Sequence, residues 1–257
     1  MALLRLVVFA GAVVFAALHT VGCSGTQRTG YDREQWAHGN PIEAILRSNA
    51  SASTREGTAV AVLVDTSGSM REKVTEPDGG SRRKIEIAKD CVAGLVRQTA
   101  AFAGEHPDRE ILLAVYEFSE RDRAEFREVL PMGKPDASAA AAAVGRMSAS
   151  GGTPIGNAMI EAMRSLVATG LSRRHVLVIT DGENTTGYAP GDVADAISRL
   201  PEQSRAAVYF VAFDISADRF NAVRDAGGLV LEASNQTDLT HTLDFVLTGK
   251  ILAEKAE

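Results

Sequence analysis

No long run of lysine or arginine stands out in the sequence, and its formal net charge is −6. A protein that binds nucleic acid needs a basic surface to meet the phosphates, so this class is disfavoured. Beyond the first 22 residues, the histidines His38, His106, His175 and His241 are scattered, and no Ser/His/Asp set for nucleophilic catalysis is evident. There is also no internal repeat and no second composition regime, so one domain is expected. The remaining properties, 257 residues of which 45% are hydrophobic and 23% charged, describe an ordinary globular protein with a large core.

The first residues are predicted to be a targeting segment that does not belong to the fold. Arg5 supplies a positive start, and residues 6–18 form an unbroken apolar stretch that is followed by small residues. This pattern is typical of a secretory signal peptide, assigned here to residues 1–22. The apolar stretch is short for a membrane-spanning helix, which needs about 20 residues.

Cys23 lies directly after this segment. Gly22-Cys23-Ser24 resembles the lipobox of bacterial lipoproteins, although Thr20 stands where that pattern usually has leucine. The resemblance implies that Cys23 is lipidated and becomes the new N-terminus; an ordinary secretory signal and an uncleaved anchor are the alternatives. Because Ser24 is not aspartate, the same resemblance favours the periplasmic face of the outer membrane over the inner membrane. Cys91 is expected in the core, so no disulfide is expected.

Residues 23–56 are polar and mixed, and we interpret them as a lipidated N-terminus and tether. A short helix is expected from Pro41, with Asn40 as its N-cap. Trp36, the only tryptophan, is positioned to dock this segment onto the domain.

The most informative stretch is the apolar run at residues 60–64, which ends in Asp65-Thr66-Ser67-Gly68-Ser69. A short Val-rich run without polar alternation is typical of a strand that is buried on both faces. Asp65, Ser67 and Ser69 then place one carboxylate and two hydroxyls on the turn after this strand. Such hard oxygen ligands suit Mg²⁺ or Mn²⁺. A serine- and glycine-containing turn is also common without any metal, so both interpretations stand on this stretch alone.

The rest of the chain alternates between predicted strands and helices. This alternation predicts an α/β fold with a doubly wound, mostly parallel central sheet that is flanked by helices. Residues 125–130 are predicted to be an edge strand that Pro131 ends, and residues 71–83 to be a charged, solvated loop. Strands are predicted at residues 58–64, 111–118, 125–130, 175–180, 207–213 and 229–233, and helices at residues 84–102, 136–147, 154–167, 192–200, 217–226 and 237–252.

Two further polar groups are expected at the same sheet edge as Asp65. Thr153 lies in a glycine-containing loop before a helix, and Asp181 follows the strand at residues 175–180. The carboxyl ends of parallel strands meet at one edge of a sheet, which is where such folds bind ligands. With these residues in place, residues 57–252 closely resemble a von Willebrand factor A domain with a metal-ion-dependent adhesion site. Residues 253–257 are then a tail.

The resemblance implies a metal site with a vacant position. Ser67, Ser69 and Thr153 would be direct hydroxyl ligands of Mg²⁺ or Mn²⁺, and Asp65 and Asp181 would act directly or through waters. An Asp or Glu of a protein partner would complete the coordination. The protein would then be a non-enzymatic binding module of the bacterial cell envelope, held to the membrane by its lipid. Residues 71–83 look like an insertion on the rim of this site, where they would screen it or contribute to partner choice.

Two alternatives remain at this point. In the first, the protein is a scaffold of an envelope complex and its metal only stabilises the fold. In the second, it is a metal-dependent phosphoesterase with Asp65 as the nucleophile. The enzyme would require a second acid two residues after Asp65 and a lysine behind it, but position 67 is serine.

Overall fold

The computed structural model describes residues 41–47, 55–121 and 124–254. In chain order the strands are β1 (Arg55–Asp65), β2 (Lys73–Thr75), β3 (Ser81–Arg83), β4 (Ile111–Arg121), β5 (Ala124–Gly133), β6 (Leu171–Thr180), β7 (Ala207–Phe213) and β8 (Leu229–Ala233). The helices are α1 (Pro41–Arg47), α2 (Lys84–Glu105), α3 (Ala137–Gly145), α4 (Ile155–Ala168), α5 (Pro190–Ser198), α6 (Asn221–Asp225) and α7 (Gln236–Val246).

Six of the strands form the central sheet, in the order β5-β4-β1-β6-β7-β8. Every neighbouring pair is parallel except β4 with β5, which are antiparallel. The predicted doubly wound, mostly parallel sheet is therefore confirmed. Since β1 lies between β4 and β6, its carboxyl end is in the middle of the sheet edge, where neighbouring loops surround it.

The core lies on both faces of this sheet, and β1 explains why. Ala59, Ala61 and Leu63 belong to the core layer that contains α1, α4 and α5. Val60, Val62 and Val64 point the other way, into the layer that contains α2, α3 and α7. The side chains at residues 59–64 are all fully buried. Full burial of one Val or Leu side chain contributes about 1.5–3 kcal/mol to the free energy of unfolding. The buried run therefore fixes the position of β1 and of Asp65 at its end.

Helix α2 buries one apolar stripe in the core. In α2 the buried side chains recur at three- and four-residue spacing and include Ile85, Val92 and Val96. Cys91 lies on the same stripe with 7% exposure, as expected for a packed core cysteine. Its thiol is 3.4 Å from the hydroxyl of Thr240 in α7.

Three local predictions are wrong. Residues 71–83 do not form a plain loop, because β2 and β3 pair as an antiparallel hairpin within them. Strand β5 continues through Pro131 to Gly133; among the described strands it pairs only with β4, and an edge strand tolerates the missing N–H of proline. The helix predicted at residues 217–226 is a 3₁₀ turn (Ala217–Phe220) followed by α6.

The helix predicted from Pro41 is present as α1. Ile42 and Leu46 are buried in the layer formed with α4 and α5. The signal peptide at residues 1–22, Cys23, Trp36 and Asn40 lie outside the described residues. No helix within the described ranges is long and apolar enough to cross a membrane.

Candidate metal site

The five residues predicted for the metal site come together at the carboxyl edge of the sheet. Asp65 is the last residue of β1 and Asp181 directly follows the last residue of β6. The two strands are hydrogen-bonded neighbours, with Val64 paired to Ile179. Parallel pairing in this register places both carboxylates beside each other. Ser67, Ser69 and Thr153 reach the same place from loops.

The turn after β1 folds around the carboxylate of Asp65. The backbone N–H of Ser67 donates a 2.7 Å hydrogen bond to Oδ1 of Asp65, an Asx-type turn that reverses the chain. A single 3₁₀ turn (Gly68–Arg71) follows. It brings the hydroxyl oxygens of Ser67 and Ser69 to 3.1 Å from each other. The hydroxyl of Ser69 then donates to Oδ1 of Asp181 at 2.7 Å, so the β1 turn and the end of β6 form one polar cluster.

Thr153 is brought to this cluster by backbone contacts of its loop. The N–H of Gly68 donates to the carbonyl of Gly151 at 2.9 Å, which ties the loop to the β1 turn. The N–H of Thr153 donates to the hydroxyl of Thr185 at 2.7 Å. A Cβ added to Gly182 would lie 3.6 Å from the Ser69 hydroxyl oxygen and 3.7 Å from that of Thr153. Both hydroxyls therefore face the same small space beside Gly182.

Gly151 is required at its position in this loop. Its φ is +84°, in the left-handed region that L side chains rarely adopt. A Cβ there would lie 1.9 Å from the carbonyl oxygen of Glu120 at the end of β4. The loop that carries Thr153 can approach β4 this closely only because residue 151 has no side chain.

The two carboxylates of the site are buried and strongly perturbed. Burial, reinforced by the charge of Asp181, raises the pKa of Asp65 to about 7, although hydrogen bonds from Thr180 and Ser67 oppose this change. Burial also raises the pKa of Asp181, against the hydrogen bond from Ser69 and the charge of Lys84. Two buried acids in contact with one cluster of hydroxyls favour either a proton or a cation between them.

The donor set fits a hard divalent cation. It consists of three neutral hydroxyls and two carboxylates, and all of these are oxygen ligands of the kind that Mg²⁺ and Mn²⁺ prefer. Oδ2 of Asp181 is buried, and among the described residues its partner is the ammonium group of Lys84, 3.1 Å away, with no further hydrogen bond. Within the described ranges there is no cluster of three or more His, Cys, Asp or Glu side chains that could hold a metal. A site of the zinc type, built from nitrogen and sulfur ligands, is therefore not found in that part of the chain.

Several residues of the site were not identified from the sequence. Thr180, the last residue of β6, donates its hydroxyl to Oδ2 of Asp65 at 2.6 Å. Lys84, at the start of α2, lies 3.1 Å from Oδ2 of Asp181 and 2.9 Å from Oδ2 of Asp214. The sequence did hold one signal for Lys84: a lysine in the first turn of a helix is unfavourable there unless an acid faces it. It held none that paired Lys84 with Asp214, since 130 positions separate the two in the numbering.

Comparison with known proteins agrees with this architecture. The sequence profile described as von Willebrand factor type A domain matches residues 59–241. No curated protein matches the chain. Among solved structures, a von Willebrand factor type A protein from Catenulispora acidiphila is 24% identical with a TM-score of 0.58, over 79% of this chain and 44% of that chain.

Two further structures share the fold at lower identity. The PilB minor pilin from Streptococcus sanguinis is 12% identical with a TM-score of 0.55, over 77% of this chain and 62% of that chain. The domain of the type V pili tip protein Mfa5 from Porphyromonas gingivalis is 10% identical with a TM-score of 0.58, over 80% of this chain and 99% of that chain. The chain thus spans less than two thirds of the Catenulispora and PilB chains.

Proposed function

Since its sequence matches the family profile over residues 59–241, the chain belongs to the von Willebrand factor type A domain family, and we propose that it is a metal-dependent protein-binding module. In this proposal Asp65, Ser67, Ser69, Thr153 and Asp181 hold Mg²⁺ or Mn²⁺. An Asp or Glu of a protein partner completes the coordination. The bound metal supplies the positive charge to which that carboxylate attaches.

The observation that carries the proposal is the composition of the cluster at the sheet edge. The hydroxyls of Ser69 and Thr153 face one space, the Ser67 hydroxyl lies 3.1 Å from that of Ser69, and all three groups are neutral. The two carboxylates already accept protein hydrogen bonds, from Ser67 and Thr180 to Asp65 and from Ser69 to Asp181. If the neutral hydroxyls are the direct ligands and these hydrogen-bonded carboxylates lie behind them, the cation is only partly neutralised and keeps an attraction for an external anion.

The site is also placed to meet a protein. It lies where the loops after β1 and β6 and the loop before α4 surround the sheet edge, and such loops commonly carry binding residues. Two of the similar structures are named as pilus components, and the extension of a protein-binding role to this chain is part of the proposal.

Calorimetry with metal alone and a pull-down with a matched pair of variants test this function. Within the described part of the chain, Thr153 hydrogen bonds through its backbone groups only, so Thr153→Val removes one hydroxyl at little cost to the fold. We expect this variant to lose binding of Mg²⁺ and Mn²⁺ and to lose Mg²⁺-dependent capture of protein from an envelope extract. Thr66→Val is the control, because the Thr66 hydroxyl donates to the Phe118 carbonyl and faces away from the cluster.

The results separate the binding module from its alternatives. Suppose that the wild type binds metal but Thr153→Val captures the same proteins as the wild type. This result would refute the proposal that the metal site binds the partner. If EDTA also left capture unchanged while it lowered the melting temperature, the metal would be structural and the protein a scaffold.

A metal-dependent phosphoesterase is the second candidate, because Lys84 supplies the lysine that this chemistry requires. That lysine contacts Asp181, whereas the nucleophile would be Asp65, which is fully buried and hydrogen bonded at both oxygens. Hydrolysis of a phosphoester panel by the wild type, lost in Asp65→Asn, would favour this enzyme over the binding module.

The proposed location is the periplasmic face of the outer membrane, with the domain held by a lipid on Cys23. Metabolic labelling with a fatty-acid analogue tests this anchor. The label should be lost in Cys23→Ala and kept in Cys91→Ala, since Cys91 is buried in the core. A labelled Cys23→Ala protein would contradict the anchor without affecting the metal site.

A further inference from the structure

Lys84 is a buried cation beside the metal site, and three carboxylates surround it. Its side chain is 4% exposed. The ammonium nitrogen lies 2.9 Å from Oδ2 of Asp214, 3.1 Å from Oδ2 of Asp181 and 3.3 Å from Oε2 of Glu72. These acids follow β7, β6 and the 3₁₀ turn of the site, so three separate segments converge on one lysine.

This position is unfavourable for a lysine unless the lysine has a specific role. It is the first residue of α2, where the helix dipole repels positive charge. Burial of an ammonium group also costs free energy unless acids compensate for it. Asp214 is held with a φ of 55°, the only non-glycine residue with positive φ in the described ranges, and this strain is a further cost of bringing its carboxylate to Lys84.

The contacts of Asp181 show what Lys84 does. One oxygen of this carboxylate, Oδ1, accepts the hydrogen bond from Ser69, and the other, Oδ2, faces Lys84. Both oxygens are therefore held, and the carboxylate cannot rotate without breaking one of these contacts. The ammonium also offsets much of its charge, because the two groups are in direct contact in a buried place.

We propose that Lys84 is a positioning residue that fixes and partly neutralises Asp181, and thereby lowers the affinity for metal while raising the affinity of the bound metal for a partner's carboxylate. The inference rests on the proposed function, because it concerns the same metal site. Asp214 acts in the opposite direction: it shares Lys84 with Asp181 and so reduces the positive charge that Asp181 receives.

Removal of Lys84 should change the affinity for metal and the affinity for a carboxylate in opposite directions, and this distinguishes the proposed role from a purely structural one. If Lys84 only held the loops together, its removal would weaken metal binding and carboxylate binding alike. If it balances charge, its removal leaves Asp181 with its full negative charge, so metal binding tightens while carboxylate binding weakens.

The experiment uses calorimetric titration of the full chain with Mn²⁺ alone, followed by titration of the Mn²⁺-loaded protein with acetate as the carboxylate probe. We expect Lys84→Met to bind Mn²⁺ about tenfold more tightly, since one neighbouring charge shifts such equilibria by about that factor or more. Acetate affinity should fall in the same variant. Lys89→Met is the control, because Lys89 lies on the same helix but pairs with Glu86; both of its affinities should match the wild type.

Asp214→Asn is the second variant, and it tests the inference on its own if Lys84→Met does not fold. Asparagine tolerates the left-handed backbone as well as aspartate does, so this change removes charge with little strain. We expect about threefold weaker Mn²⁺ binding and tighter acetate binding.

Weaker Mn²⁺ binding in Lys84→Met, or tighter Mn²⁺ binding in Asp214→Asn, overturns the inference. A wild-type protein that binds no metal overturns the proposed function and this inference together. If the wild type binds metal but the Mn²⁺ affinities of the variants change in the directions opposite to those expected, only the inference about Lys84 is overturned.

Discussion

The hydroxyl of Thr180 donates a 2.6 Å hydrogen bond to Oδ2 of Asp65. Each is the last residue of its strand, and these strands are parallel neighbours. The contact therefore joins the ends of β6 and β1 and orients a fully buried carboxylate, whose other oxygen accepts the N–H of Ser67. The orientation of Asp65 depends on this pair of donors.

Thr180→Val should destabilise the metal-free protein more at about pH 8 than at about pH 5. Loss of one donor to a buried charged acceptor costs about 1–3 kcal/mol, and this cost is smaller when Asp65 is protonated. Urea unfolding in EDTA at both pH values measures the difference. Thr99→Val is the control, because its hydroxyl donates to the Leu95 carbonyl and its loss should not depend on pH. If Thr180→Val lost the same free energy of unfolding at both pH values, this result would contradict the hydrogen bond from Thr180 to Asp65.

Stability of the metal-free protein should decrease as the pH rises towards and through about 7. The pKa of Asp65 is raised from 3.8 to about 7 in the folded state, mainly by burial. The folded state thus prefers the protonated acid. The stability that Asp65 contributes is fully present below about pH 3.8 and is lost as the pH rises through the pKa of the folded state. A shift of this size corresponds to a change on the order of 4 kcal/mol.

Asp65→Asn should remove most of this dependence, because asparagine does not titrate. In EDTA at about pH 8 the variant should be more stable than the wild type, and Mg²⁺ should stabilise only the wild type. Thermal unfolding across this pH range, in EDTA and in MgCl₂, measures both effects. Parallel stability curves for the two proteins would argue against a buried, titrating Asp65.

Gly151→Ala should abolish metal-dependent stabilisation. The new Cβ would lie 1.9 Å from the Glu120 carbonyl oxygen at a φ of +84°, so the loop that carries Thr153 would have to move. Gly94→Ala is the control within α2, where the nearest side-chain atom would be at an ordinary contact distance of 3.6 Å. It should raise stability by about 0.5–1 kcal/mol and leave metal binding unchanged. Metal binding by Gly151→Ala at wild-type affinity would show that this close approach is not needed.

The β2–β3 hairpin should be removable without loss of the metal site. The N–H of Lys84 donates to the Glu72 carbonyl at 2.9 Å, so the chain enters and leaves the hairpin through one bonded pair. Residues 73–83 can therefore be replaced by Asn-Gly, which favours a two-residue turn. We expect a loss of about 1–3 kcal/mol from the buried Val74 and unchanged affinity for Mn²⁺ in calorimetry. Altered protein capture with intact metal binding would assign partner choice to the hairpin, whereas lost metal binding would contradict the expectation.

Much of the fold was readable from local patterns. The apolar run before Asp65 and the alternation of strands with helices predicted a parallel sheet, because these patterns record which residues must be buried. The β2–β3 hairpin was missed because its strands are only three residues long and half of their residues are charged, so they show no apolar pattern. The edge position of β5 was predicted correctly, but Pro131 was wrongly read as its end, because proline lacks a backbone N–H; an edge strand tolerates that loss, and β5 continues to Gly133.

The chemical types in the candidate metal site came from the sequence, whereas their arrangement came from the tertiary structure. A carboxylate and two hydroxyls at alternate positions after a buried strand already indicated hard oxygen ligands, because that choice depends on residue identity alone. The pairing of Asp65 with Thr180, and of Lys84 with Asp181 and Asp214, depends on the lateral order of β1, β6 and β7. Lateral order is set by the packing of the whole sheet, and burial in that packing is also what raises the pKa of Asp65.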